Sequence, residues 1–336
     1  MANILLRSPY YESHSQAYAS SNVAKSAILV LSVGGTTITT ISKDCVLTGT
    51  AGQETGTVAF EIADLCRDHL DITFNNTYTS QVLTIGGSVT FKNKTVDEIN
   101  TGATATTVGN VITIDNKGLD GYFEFMQGLG TSVSNSAFTL STTQDTVMQD
   151  NTTIYAPDNT AGVIPYYDES ASTIIYDTYT ATATAKIIIN TVFTIERVCS
   201  QHEAYKVTFV NKYGALQDLY FTGKTTENMN VQKTTFKRSI NDSNSRYDKQ
   251  QHSIKQFNAL ANETLILNSP QMSFDNVNEA FKQLIVSEQV WLYKDSQTTP
   301  INITNTTHRI KTGLNNKTIQ YTITAEYAFD MISNVR

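Results

Sequence analysis

Every second residue from Ile319 to Tyr327 is apolar or aromatic (Ile319, Tyr321, Ile323, Ala325, Tyr327), and Gln320, Thr322, Thr324 and Glu326 fill the places between. A period of two suits a pleated strand with one wet face and one dry face, and no helix can present it that way. The tract from Ile174 to Ile189 contains the same strict alternation over many residues, and predicts extended strand exposed at a sheet edge. Composition points the same way. Only 16% of the residues are charged, against roughly 25% in an average globular protein. Thr, Ser and Asn fill the deficit, with 17 Tyr and 14 Phe beside a single Trp, and these residues suit strands and turns. The 40% hydrophobic fraction is far too high for a disordered chain.

Turn chemistry divides the 336 residues into pieces. Gly34-Gly35 between Ser26–Leu31 and Thr36–Ile41 predicts a hairpin, because two glycines supply the positive φ that a two-residue turn demands. Ile62, Leu65, Cys66 and His69 then fall at helical spacing and predict a short helix over about 62–70. Strand pattern resumes in Val82–Ile85 and Val89–Phe91, joined through Gly86-Gly87, and in Val111–Ile114 before an Asp115-Asn116-Lys117-Gly118 turn. Residues 134–172 are polar and hold Pro157 and Pro165, and are expected to form a long loop or arm over a neighbour. Further on, Val192–Ile195, Tyr205–Val210 and Leu219–Phe221 read as strands, with Asn211-Lys212-Tyr213-Gly214 turning the second into the third. Asp275 is placed to cap a helix over about 276–287, striped by Val277, Ala280, Phe281, Leu284 and Ile285, before strand returns at Val290–Tyr293. The expected fold is mainly β. It has two or three β-sandwich-like domains, divided as 1–75, 76–190 (with the arm) and 191–336 (with the second helix).

Motifs for catalysis or ligand binding are missing where they would be expected. The five histidines have neither His-x-x-x-His nor His-Glu-x-x-His spacing, so no metal site is expected. No nucleophile elbow, phosphate-binding loop or dinucleotide fingerprint occurs, and Gly128-Leu129-Gly130-Thr131 reads as a turn. Asp64 and Asp68, beside Arg67, read as a solvated helix face. An acid–base pair at that spacing is the sharper alternative. Cys45, Cys66 and Cys199 are odd in number and far apart, and read as buried small hydrophobes. A net charge of −7 argues against a general nucleic-acid binder. The opening MANILLRSPYYESHSQ lacks the apolar core of a secretory signal, and no apolar run approaches the ~20 residues of a membrane span. No catalytic residue, cofactor, metal or membrane partner is therefore expected.

Two stretches stand out as candidate interface or structural positions. The first, Asn211 to Phe221, is a hairpin with a glycine corner and a buried aromatic strand. Its candidates are Phe209, Asn211, Tyr213, Gly214, Gln217, Asp218 and Tyr220, joined by Trp291, the single tryptophan, as core or ligand platform. The second runs from Lys224 to Lys255 and holds seven basic residues against three acidic ones, with Lys237 and Arg238 adjacent. It reads either as a solvated loop pair or as an electrostatic seam for an acidic patch, and the net-negative remainder of the same chain is one candidate partner in a homo-oligomer.

Several short motifs carry a resemblance. Arg7-Ser8-Pro9-Tyr10-Tyr11, the Phe60–Asp68 segment, Asp120-Gly121-Tyr122-Phe123 and Ile164-Pro165 come in order, and Val207 through Asp218 is the most specific. Ser287–Leu292, Lys311-Thr312 and Gln320–Ile323 continue it. Together they resemble structural proteins of tailed bacteriophages of marine bacteria and Bacteroidetes. The resemblance implies a virion component of the tail, neck or baseplate, made in the bacterial cytoplasm. It also implies assembly with itself and with other virion proteins, and admits a host surface receptor as a further partner. Three alternatives stay open: a receptor- or glycan-binding fibre module using exposed loop tyrosines, a capsid subunit built as a double jelly roll or a decoration protein, and a depolymerase that would need a carboxylate pair in a cleft.

Overall fold

The computed structural model describes residues 3–18, 22–124, 140, 147–148, 153–168, 171, 173–182, 185–188, 191–199, 202–239, 246, 250–272, 278–307, 309 and 319–330. Among them the chain is mainly β, with several sheets and three short helices.

The first body contains β1 (Asn3–Leu5), β2 (Tyr11–Gln16), β3 (Ser26–Val33), β4 (Thr36–Asp44), β5 (Val46–Thr48), β6 (Thr55–Glu61), α1 (Ala63–Arg67), β7 (Leu83–Lys92), α2 (Val96–Asn100) and β8 (Thr107–Leu119). A five-stranded sheet, β1-β8-β7-β3-β4, packs on a three-stranded one, β2-β6-β5. Leu29, Leu31, Val89 and Phe91 meet Val58 and Phe60 in one sandwich core. Val33 pairs with Thr36 across Gly34 and Gly35, at φ +56° and +84°, as the two-residue hairpin requires.

Five expectations need correction here. Gly86-Gly87 does not turn the chain, because β7 runs straight through it. A Cβ on Gly87 would lie 2.3 Å from the Val30 carbonyl oxygen, so the glycine serves a close backbone approach inside the sheet. Asp115–Gly118 likewise continues β8, where a Cβ on Gly118 would strike the Leu6 side chain. The first helix spans only Ala63–Arg67, leaving His69 exposed beyond its end. Of the cysteines only Cys66 is buried, Cys45 being partly covered and Cys199 exposed. Because β3 pairs with β7, the sandwich crosses residue 75, where a domain boundary was expected.

The second body is built from β9 (Thr153–Pro157), β10 (Ala161–Asp168), β11 (Thr173–Thr180), β12 (Ala185–Ile188) and β13 (Thr191–Val198). β10 and β11 form a hairpin, and β12-β13-β9 a second sheet with β12 at its edge. The alternating tract is thus split between two sheets. Ile154, Ala156, Ile164, Phe193 and Ile195 share a core, which corrects the expected loop or arm over residues 153–168. The prolines suggested a loop, yet Pro157 closes a strand and Pro165 sits in a two-stranded sheet, where a missing N–H is tolerated on the free side. Other parts of that expected arm, and the Gly128–Thr131 turn, lie outside the described residues.

The third body holds β14 (Tyr205–Val210), β15 (Leu216–Phe221), β16 (Thr226–Lys237), β17 (Ile254–Asn268), α3 (Asn278–Val286), β18 (Val290–Lys294), β19 (Gln297–Ile303) and β20 (Thr322–Tyr327). All its strands form one sheet, β15-β14-β18-β19-β20-β17-β16. The apolar stripe of α3 covers one face, burying Phe281 and Leu284 against Val207, Phe209, Leu265 and Ile323. Phe281 stands edge-on to Phe221 at 5.8 Å. The proposed cap, Asp275, lies outside the described residues. Arg7 and Arg67 of the first body both reach Glu288 of the third, at 3.4 and 2.5 Å.

Candidate assembly interface

The residues singled out around the β14–β15 hairpin lie at the junction of the three bodies. Asn211 is fully buried. Its Oδ1 accepts from the Tyr213 and Ala215 amides at 3.0 and 3.1 Å, and its Nδ2 donates to the Val147 carbonyl and to Gln217 Oε1 at 2.8 and 3.1 Å. Gly214 turns the chain at φ +78°, where a Cβ would lie 2.9 Å from that of Leu119. Tyr213 bridges Gly121, and the Tyr122 amide donates to the Lys212 carbonyl at 2.7 Å, stitching the first body to the third.

Asp218 lies deeper in the same junction. Thr208 Oγ1 donates to its Oδ1 at 2.6 Å and Tyr78 Oη to its Oδ2 at 2.5 Å. Lys206 Nζ donates to Tyr78 Oη at 2.9 Å and to Asn76 Oδ1 at 2.6 Å, and lies 4.9 Å from the Tyr293 ring centre. Burial pushes the Asp218 carboxyl above its ordinary range against the pull of Lys206, Thr208 and Tyr78, and burial also lowers the Lys206 ammonium. Trp291 packs 5.6 Å from Phe74, Tyr220 Oη donates to the Ala161 carbonyl at 3.2 Å, and Phe209 is wholly enclosed.

Phe209, Asn211, Gly214, Gln217, Asp218, Tyr220 and Trp291 are therefore interior, with Tyr213 half-buried beside them, and in this structure they hold the bodies together. Asp218 is a single carboxylate, each of whose oxygens accepts one hydroxyl. The apolar cavity along its strand, lined by Met148, Tyr155, Met272 and Phe281, measures about 20 Å³, room for a water molecule or two. An open polar depression of about 420 Å³ lies by Cys199, His202, Thr222, Lys224 and Gln320, and among the described residues no carboxylate lines it. Among the described residues no three His, Cys, Asp or Glu side chains converge as a metal set, and no helix is long and apolar enough to cross a membrane.

The basic segment has a different setting. It forms a β-ribbon, not a pair of loops. β16 is an edge strand whose twelve residues are all exposed. β17 pairs with β20 only over Thr264–Asn268, so from Ile254 to Glu263 its ladder partner is β16 alone. An isolated two-stranded ribbon is marginally stable in water, and its free edge presents unpaired N–H and C=O groups. Register puts Met229 opposite Glu263, Val231 opposite Ala261, Lys233 opposite Ala259 and Lys237 opposite Ile254, all on one face. Met229, Val231 and Ile254 are 56%, 40% and 58% exposed.

At the ribbon's base Lys294 Nζ meets Glu227 Oε1 at 2.5 Å, and that hydrogen bond raises the ammonium pKa. At the far end the Arg238 amide donates to the Ser253 carbonyl at 2.8 Å and its guanidinium to Gln251 Oε1. Lys237 and Arg238 thus stand at the far end of the described ladder, in a stretch from 231 to 255 with six basic residues against Asp242 and Asp248 in the sequence. Sequence reasoning missed these strands because both faces are wet. The remaining signal was Met229 and Val231 alternating with Asn228, Asn230 and Gln232.

Compared with protein-family models, curated proteins and solved structures, the chain matches none.

Proposed function

We propose that this chain is a structural subunit of a tailed-bacteriophage particle, in the tail, neck or baseplate, that assembles with itself and with other virion proteins and performs no catalysis. The observation that carries the reading is the β16–β17 ribbon. It combines an unpaired edge, four exposed apolar side chains (Met229, Val231, Phe236 and Ile254) and a basic far end, projecting past the strand that anchors it. Ordering such a ribbon against a neighbour recovers the backbone hydrogen bonds and apolar burial it lacks alone. The motif resemblance supplies the setting. The interior junction leaves the ribbon as the working surface.

A glycan-binding fibre module has weaker support, since Tyr11, on β2, is the only exposed tyrosine among the described residues. Mass spectrometry of density-purified particles, with gold-labelled antibody against this chain, tests the reading. The chain is expected at fixed stoichiometry and at one location on the particle. Its confinement to the particle-free fraction would overturn the proposal.

A further inference from the structure

Within the assembly reading, on which this step rests, the ribbon needs a receptor, and the second body has the complementary chemistry. Strand β12 lies at the open edge of its sheet, and Ile187 pairs directly with Val192 across the β12–β13 ladder. The two side chains share a face. They are 66% and 52% exposed, while Phe193 and Ile195 on the opposite face are buried in the core. By alternation Thr194 and Glu196 continue the outward face. Two adjacent β-branched side chains in water beside a free edge make a small apolar landing strip.

Charge separates along the same lines. Among its described residues the second body holds Asp158, Asp168, Asp177 and Glu196 against Lys186 and Arg197, whereas the described part of the ribbon beyond Val231 holds Lys233, Lys237, Arg238, Arg246 and Lys255 and no carboxylate. Both cations of the acidic region are already engaged within it, Lys186 with Asp177 at 3.0 Å and Arg197 with Asp158 at 3.6 Å. The body thus keeps a net negative charge, with Glu196 on the outward face itself, and this attracts cations from elsewhere.

We propose that the ribbon of one copy seats on the outward β12–β13 face of a second copy, with Met229 and Val231 against Ile187 and Val192 and with Lys233 and Lys237 facing the acidic region. Donor and receptor are different surfaces, so the contact is head-to-tail and generates a ring or a filament, not a two-fold dimer. Electrostatic pairing makes the association weaken with salt.

Paired single cysteines test this in the full chain. In a Cys199→Ser background, Val231→Cys and Val192→Cys are made in separate chains and mixed under mild oxidation. Disulfide-linked pairs are expected in the mixture and in neither variant alone. Lys233→Glu with Lys237→Glu is expected to cut the yield at least tenfold, and Glu196→Lys on the receptor to recover part of it. Self-linking of either variant alone would replace head-to-tail docking with a two-fold contact and overturn the proposal. Oligomers without any cross-link would overturn the docking while leaving the assembly reading intact. A chain that stays monomeric throughout would sink both. Retention of duplex DNA by the monomer at physiological salt, without cross-links, would assign the ribbon to nucleic acid instead.

Discussion

Replacing Asp218 with Ala removes the acceptor for two hydroxyl groups at once. Thr208 is wholly buried and Tyr78 partly so, and both hydroxyls lose their carboxylate acceptor. Each orphaned donor costs about 1–3 kcal/mol. Lys206, partly withdrawn from water and joined to Asp218 through Tyr78, also loses a nearby counter-charge, which at that distance and exposure adds less than the orphaned hydroxyls. Against this, burial already raises the Asp218 carboxyl pKa, so part of the pairing energy offsets its desolvation. The net expectation is a loss of about 3 kcal/mol for Asp218→Ala, and about 1 kcal/mol for Asp218→Asn, which keeps one acceptor oxygen. Trp291 pairs with Thr208 in the ladder and stacks near Phe74, so the chain's single tryptophan reports on this junction. Urea unfolding followed by its fluorescence should show a lower midpoint at an unchanged slope. A loss under about 1 kcal/mol for Asp218→Ala would refute the claim that the network locks the bodies together.

Gly214→Ala should cost about 1–3 kcal/mol in the same assay, because the position sits at φ +78° and the new Cβ meets that of Leu119, and an unchanged midpoint would contradict this. Glu288 is held below its usual pKa of 4.5, first by the hydrogen bond from Arg67 and then by the charges of Arg7 and Arg67. A depressed carboxyl pKa contributes stability above the unfolded value and loses it as pH falls through the folded one. Glu288→Gln should therefore cost up to about 1 kcal/mol at pH 7, with the gap to the parent narrowing in acid below about pH 4.5, and a gap constant with pH would contradict the linkage. Burial pushes the Cys66 thiol up to about 12 and the Cys45 thiol to about 11, whereas Cys199 is exposed. One thiol should thus react quickly with a disulfide reagent at pH 8 and three after denaturation, and two fast thiols in the native chain would contradict the burial.

Where local chemistry alone decides the backbone, the sequence was readable. Gly34-Gly35 and Asn211–Gly214 demand turns, the stripe through Phe281 and Leu284 demands a helix, and Val290–Tyr293 resumes as strand. Gly86-Gly87 misled because the residue that permits a turn also permits another strand to come close, and only the partner strand β3 tells the two uses apart. Pro165 misled in the same way, because a proline that breaks a central strand is harmless on a free edge. The Asp218 network draws Tyr78 from 140 residues away, so nothing in the local sequence announces it. The ribbon escaped because strands wet on both faces leave only a faint alternation, here Met229 and Val231 among Asn228, Asn230 and Gln232. Its basic charge was visible, but its β structure was not.

The central claim is that the ribbon joins chains. Sedimentation velocity of the full chain beside a variant with residues 231–261 replaced by a two-residue Asn-Gly turn, which joins the paired residues Asn230 and Asn262, measures this directly, with the Trp291 fluorescence signal confirming that the remaining sheet is folded. The full chain should sediment as oligomers that dissociate as salt is raised, and the shortened chain as a monomer at every concentration. Identical oligomers from both chains, or a monomer from the intact one, would contradict the account.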